Sequence, residues 1–262
     1  MKVIITDLDR TLLKTDKSLS EHTIQIMQEC RRRGYFVMAA TARPARAIRP
    51  YMKAVHFNAV TTLNGARTIL MDHSVDITIP RESVLSIIEK LMKIDDITIS
   101  VETEEGIFSN KDIPDWMPTV YDNLLTAPLP ENIYKIIVSS ASTDLSNLLP
   151  ASLTPDTYCS VANGELYQIL ASKATKWNGV LTMLRKYGLS AEDAIYFGDD
   201  NDDIEAMQNS KIGVAVSNAI PDVLAIADAV TSSNDEDGVA EYIEKLLFID
   251  QPSHGRKDIL PH

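Results

Sequence analysis

The chain predicts an α/β fold: a doubly wound parallel sheet interrupted by an inserted α+β segment. Three observations lead there. At both ends of the sequence, short apolar strand segments alternate with amphipathic helices, the rhythm of a parallel sheet covered on both faces. From about residue 80 to 171 strands follow one another with few helices, the habit of an antiparallel sheet with one face half exposed. Carboxylates and hydroxyls gather directly after the strands, where open parallel sheets bind ligands.

The first strand is Val3-Ile4-Ile5-Thr6, and Asp7-Leu8-Asp9-Arg10-Thr11 leaves its carboxyl end. Ser18 or Ser20 caps a helix reaching Arg33, and Gly34 ends it. Residues 35–40 read as a second buried strand, followed by Thr41-Ala42-Arg43-Pro44 and a basic helix. Residues 59–63 make a third strand, ending in Asn64-Gly65. Residues 67–79 alternate like a hairpin, and Arg81–Ile94 carries Val84, Ile87, Ile88 and Leu91 on one helical face.

Strand patterns at 97–101, 106–108, 134–138, 158–161 and 166–170, with a proline-broken stretch among them, fill the insertion. The first rhythm resumes with a helix over 175–187, a strand over 194–198 and the acidic run Asp199-Asp200-Asn201-Asp202-Asp203. A strand at 212–216, a helix opened by Pro221, a strand at 229–231 and a helix over 238–248 complete the pattern. This divides the chain into a core of residues 1–79 and 172–262 and an insertion of residues 80–171, with a mobile tail expected from 251 to 262.

A hydrophobic share of 45% with 24% charged residues is that of a folded chain, not a disordered one. A net charge of −12 argues against a nucleic-acid or anionic-membrane partner, since both demand basic surface. Cys30 and Cys159 make neither a metal nor a disulfide framework, and with no secretory leader or membrane span in view the expected location is the cytoplasm. The oligomeric state is not legible.

Asp7 and Asp9 repel one another unless a cation or a shared proton lies between them. The run at 199–203 holds more acid than one helix cap needs, so the two clusters together call for a hard, oxygen-seeking ion such as Mg²⁺. Singly, the members have plainer uses: Thr41 as a turn hydroxyl, Lys176 as a surface lysine, the acidic run as a cap.

Taken together, these residues resemble the haloacid dehalogenase-like phosphatases. The resemblance rests on Asp7-Leu8-Asp9-Arg10-Thr11, Thr41, Lys176 and Gly198-Asp199-Asp200-x-x-Asp203. Thr41-Ala42-Arg43, Leu63-Asn64-Gly65-Ala66, residues 213–219 and residues 234–239 narrow it to the Cof-type branch, which has a Rossmann-like core and an α/β cap of the C2B type. The resemblance implies a Mg²⁺-dependent phosphatase of small phosphorylated metabolites, sugar phosphates foremost.

By the same resemblance Asp7 is the nucleophile, forming an aspartyl-phosphate, and Asp9 the acid and then the base. Thr41 and Lys176 complete the catalytic set, and phosphate is held by Thr41, Ala42, Arg43, Asn64 and Lys176, with Asp202 adjoining. Mg²⁺ is expected on Asp7, the backbone carbonyl of Asp9 and Asp199, with Asp203 supporting it.

Arg43 either adds positive charge or pairs with acids. Lys173 competes with Lys176, which is preferred because it begins the helix. Arg10 stands where glycine is commonest, its side chain expected to point away, and Asp202 stands where asparagine is usual; a cap or a lysine partner is its expected role. Glu102, Glu104, Glu105, Asn163 and Glu165 read as solvated residues near strand ends. Other readings are a phosphomutase on the same core and a non-enzymatic phospho-acceptor switch, which would stop after one phosphorylation.

Overall fold

The computed structural model describes residues 3–162 and 166–249. The tail expected to be mobile, and Asn163 and Glu165, lie outside the described residues. Two compact units are present: one comprises residues through Ala39, Arg49–Asn58 and residues from Leu189 onward; the other comprises Ala40–Ile48 and Ala59–Gly188.

In chain order the strands are β1 (Val3–Thr6), β2 (Phe36–Ala40), β3 (Ala59–Thr62), β4 (Arg67–Ile69), β5 (Ser74–Asp76), β6 (Ile97–Thr103) and β7 (Ile107–Ser109). They continue with β8 (Thr119–Val120), β9 (Ile133–Ser140), β10 (Thr157–Ala162), β11 (Leu166–Ala171), β12 (Ala194–Gly198), β13 (Ile212–Val216) and β14 (Ala229–Thr231). The helices are α1 (Glu21–Arg32), α2 (Ala45–Val55), α3 (Arg81–Leu91), α4 (Leu149–Ser152), α5 (Lys176–Lys186), α6 (Ile204–Asn209), α7 (Pro221–Ile226) and α8 (Gly238–Ile249). Ser20, rather than Ser18, caps α1: its side chain accepts from the N–H of Thr23 at 2.9 Å.

In the first unit the parallel order is β14-β13-β12-β1-β2. The chain winds outward from β1 in one direction to β2 and, after the long excursion, in the other to β12. β1 and β12 are therefore neighbours at the switch point, with Thr6 in register with Phe197. Their carboxyl ends open side by side, and the N–H of Asp7 extends the ladder to the carbonyl of Phe197 at 2.9 Å. A parallel sheet leaves a crevice at such a point.

In the second unit β3, β4 and β5 pair antiparallel. A second sheet runs β10-β11-β9-β6-β7-β8, antiparallel except for β7 with β8. One face of it carries Ile99, Val101, Ile136, Val138 and Ile169, which cluster with Val84, Ile87, Ile88 and Leu91 of α3. The alternation that predicted α3 and these strands is thus the alternation that buries them. Leu63, Ala66 and Ala174 belong to the same cluster.

The other face departs from the half-exposed sheet that the sequence suggests. Glu102 and Lys135, neighbours in register, and Gln168 are all buried. The short elements β8 and α4 fall in the proline-broken and polar stretches, where periodicity carries no signal.

Candidate active site

The Asp7 end of β1 turns tightly over Leu8–Leu12. The turn puts Arg10 at φ +58°, ψ +8°, a left-handed conformation natural to glycine. Contrary to the expectation that its side chain points away, the Arg10 guanidinium lies beside the acidic cluster, its Nε 4.0 Å from Oδ2 of Asp199. Asn218 holds the turn through Nδ2, which donates to the Arg10 carbonyl at 2.8 Å.

The Thr11 hydroxyl donates to Oδ1 of Asp199 at 2.6 Å, joining the first strand's turn to the acidic run. Asp7, Asp199 and Asp203, all buried, each bring one carboxylate oxygen into a group whose atoms lie within 4.8 Å of one another. Three carboxylates so placed repel strongly without positive charge among them. An all-oxygen set of this kind suits a hard divalent cation such as Mg²⁺.

Asp203 is also tied to its own strand: Oδ1 accepts from the Tyr196 hydroxyl, and Oδ2 accepts from the backbone N–H groups of Asp199 and Asp200. Gly198 is required there, because a Cβ on it would lie 2.5 Å from Cβ of Asp203. The cap of the following turn is built by Asp200 and Asp203, not Asp202, which is half-buried. Asp9 stands outside the three-carboxylate group, and its carboxylate accepts from Nζ of Lys17 at 2.8 Å.

The second unit holds the other predicted residues. Thr41 is buried, and its Oγ1 accepts from the N–H of Arg43 in the hydroxyl turn expected of it. Its carbonyl accepts from the N–H of Asn64, and the Arg43 carbonyl accepts from the N–H of Leu63. The 41–43 and 63–65 loops are thereby laced into one piece. Leu63 and Asn64 both have positive φ, +53° and +54°, a conformation that costs about 1 kcal/mol or more per non-glycine residue.

Gly65, at φ +94°, follows them because nothing larger fits: a Cβ there would meet the Thr175 carbonyl oxygen at 2.0 Å. Thr175 in turn caps α5, accepting from the N–H of Asn178 at 3.2 Å, so Lys176 opens that helix as a buried residue while Lys173 is exposed. Ala42, Arg43 and Pro44 border a cavity with Arg46 and Trp116, neither of which the motifs point to. Glu102, expected in solvent, is buried and accepts from both terminal nitrogens of Arg46. Glu104 is the exposed partner of Arg67.

The fold and the acidic group at its switch point define an α/β protein whose carboxylate cluster suits a hard divalent cation. Residues 4–243 match the haloacid dehalogenase-like hydrolase family. One relative is 5-amino-6-(5-phospho-D-ribitylamino)uracil phosphatase YitU of Bacillus subtilis, 27% identical, with 94% of this chain and 98% of that one covered. Among solved structures, the subclass IIB sugar phosphatase BT4131 superposes with a TM-score of 0.80 at 23% identity, covering 94% of this chain and 99% of its own. A haloacid dehalogenase-like hydrolase from Bacteroides thetaiotaomicron gives 0.81 at 21% identity, with 94% and 99% covered. The chain belongs to the haloacid dehalogenase-like hydrolase family and is a phosphatase of its Cof-type branch. Among the described residues no helix is long and apolar enough to cross a membrane.

Proposed function

We propose that the protein hydrolyses phosphate monoesters of small metabolites, sugar phosphates foremost, through an aspartyl-phosphate. The observation that carries this reading is the buried Asp7–Asp199–Asp203 group at the switch point between β1 and β12. The sugar phosphatase and the ribitylaminouracil phosphatase among its relatives support the substrate class.

Asp7 attacks phosphorus through a carboxylate oxygen, forming an O–P bond as the bond to the leaving oxygen breaks. Asp9 gives that oxygen its proton, then takes one from the water that cleaves the aspartyl-phosphate, releasing phosphate and restoring Asp7. Thr41, the backbone around Ala42 and Arg43, Asn64 and Lys176 hold phosphate oxygens and offset their charge. Asp7, the backbone carbonyl of Asp9 and Asp199 would hold Mg²⁺, with Asp203 fixing the turn that presents Asp199. Mg²⁺ supplies positive charge that lets an anionic nucleophile approach an anionic ester. Residues 80–171 form the substrate-selecting cap on a core of residues 1–79 and 172–262. Two free thiols suit a reducing, cytoplasmic setting.

The test is phosphate release from p-nitrophenyl phosphate with Mg²⁺ and with chelator, for the parent and for Asp7→Asn. Multiple turnovers lost in chelator and lost in a folded Asp7→Asn protein are expected. Activity retained by Asp7→Asn would exclude the aspartyl-phosphate route, and turnover undiminished by metal removal would exclude the cation.

A further inference from the structure

Edge strands carry a row of unpaired backbone N–H and C=O groups, and proteins guard them with shortness, charge or proline. Three edges here are guarded. β14 has three residues and follows Asp228, β5 has three and ends in Asp76, and β8 has two and follows Pro118. β10 has none of these devices. Its six residues, Thr157-Tyr158-Cys159-Ser160-Val161-Ala162, hold no charge and no proline, and they pair with β11 in one unbroken register. The uncharged stretch runs from 157 to 164 in a chain of net charge −12.

The ladder fixes which groups point outward. The N–H of Ser172 donates to the Asp156 carbonyl at 2.7 Å, one step beyond the Thr157–Ala171 pair. In an antiparallel ladder successive residues turn their N–H and C=O alternately to one side and the other. Asp156, Tyr158 and Ser160 therefore face β11, while Thr157, Cys159 and Val161 face away from it. The N–H of Thr157 is taken by the Thr154 carbonyl at 3.0 Å. The open edge thus presents the Thr157 carbonyl and both backbone groups of Cys159 and Val161. Among the described residues no second strand pairs with it.

We propose that β10 is the contact through which two copies of this chain associate, antiparallel, with Cys159 on the two-fold axis. The row of outward groups is its own complement. Rotation about that axis sets the N–H of each Cys159 against the carbonyl of the other. It also sets each Val161 N–H against the Thr157 carbonyl of the second copy, so two bonds at the axis are flanked by two more. Thr157 and Val161, both β-branched, become cross-strand neighbours, and the Val161 side chain, 44% exposed, gains a partner.

Charge selects the same occupant. Two chains this acidic repel one another over most of their surfaces, and an uncharged edge is where that repulsion is least. In the proposed register Asp156 lies opposite Ala162, so no like charges meet. A contact of one patch with itself asks for nothing that the chain does not already carry.

The contact is small, at the weak end of interfaces, so the full chain is followed by sedimentation equilibrium from about 1 to about 200 µM. The apparent mass is expected to rise from that of one chain toward that of two. Val161→Pro removes an N–H that β11 does not use, a change that edge strands tolerate. With half of the intermolecular bonds lost, association should weaken about tenfold or more. Val161→Lys, which places a charge on an exposed side chain, should weaken it as charges do at guarded edges. Circular dichroism checks that each variant is folded.

Diamide, as oxidant, is expected to join the copies through a Cys159 disulfide, more slowly in Val161→Lys and not at all in Cys159→Ser. Residues opposed in a hydrogen-bonded pair have Cα atoms about 5.5 Å apart, within disulfide reach, and Cys30 is fully buried. A chain that stays monomeric throughout overturns the proposal. So does a dimer left intact by a folded Val161→Pro or Val161→Lys variant, or one that diamide does not link through Cys159.

Discussion

The Tyr196 hydroxyl donates to Oδ1 of Asp203 at 2.7 Å, within the buried end of β12. The other oxygen of that carboxylate clamps the N–H groups of Asp199 and Asp200, each at 3.2 Å. Tyr196 therefore orients the residue that orients the Asp199 turn. Tyr196→Phe is expected to cost about 1.5–3 kcal/mol of stability, the worth of a bond to a charged group, and to weaken Mg²⁺ binding severalfold. Thermal melts and calorimetric Mg²⁺ titration check both, and a variant matching the parent in both would refute the clamp.

Arg10 pays a conformational penalty and sets a cation beside Asp199. Arg10→Gly should relieve about 1 kcal/mol of backbone strain and, by removing a cation beside Asp199, tighten Mg²⁺ binding. Weaker Mg²⁺ binding in that variant would mean that the guanidinium supports the site.

Asp199 and Asp202 should separate cleanly. Asp202→Asn removes a negative charge from a position outside the three-carboxylate group and is expected to keep kcat within about tenfold without raising KM. Asp199→Asn is expected to weaken Mg²⁺ binding severely. Equal damage from the two changes, in steady-state kinetics over a Mg²⁺ series, would make Asp202 a primary ligand.

Glycine positions offer a contrast in packing. Gly65→Ala drives a Cβ into the Thr175 backbone at a positive φ and is expected to cost about 2–4 kcal/mol. Gly34 also has positive φ, +82°, but a Cβ there meets nothing within 4 Å, so Gly34→Ala should cost only about 1 kcal/mol. Denaturant midpoints give the ranking, and equal costs would show that conformation alone, not the close approach, demands Gly65.

Burial pushes the Cys30 thiol up to about 12, and burial with the nearby Asp76 carboxylate pushes the Tyr134 phenol up to about 12. In alkali the unfolded chain releases these protons while the folded chain keeps them, so their contribution to stability is complete at neutral pH and drains away between about pH 9 and 12. Cys30→Ala removes one source of that loss. The stability gap between parent and variant should narrow as pH rises across this window, and a constant gap in denaturant titrations would count against it.

Much of this architecture is legible from periodicity and strand-end chemistry. Apart from β8 and α4, the strands and helices of both units follow the apolar pattern, and Asp7, Asp199 and Asp203 converge because each leaves the carboxyl end of β1 or β12. Glu102, Lys135 and Gln168 are a different matter. Alternation assigns them correctly to the face away from the apolar cluster, but whether that face meets water depends on segments distant in sequence, here Ala42 and Trp116. Nor does a rhythm of strands report what packs on what: Leu63 and Ala174, outside the segment 80–171, share a cluster with Ile87 and Ile136 inside it. Left-handed Arg10 is invisible for another reason, since nothing in arginine asks for that conformation.

The backbone contact of Gly65 with Thr175 staples the two points between which the whole stretch from Ala66 to Ala174 is strung. In polymer terms that stretch is a loop whose ends are already closed. The entropy of closing a loop grows only logarithmically with its length, by about 0.6 kcal/mol for each doubling in a flexible chain. Lengthening or shortening loops within that segment therefore costs little closure entropy, provided β4 still pairs with β3 and the apolar face still covers Leu63. Variation can accumulate there at small thermodynamic cost while the residues at Gly65 and Thr175 hold still.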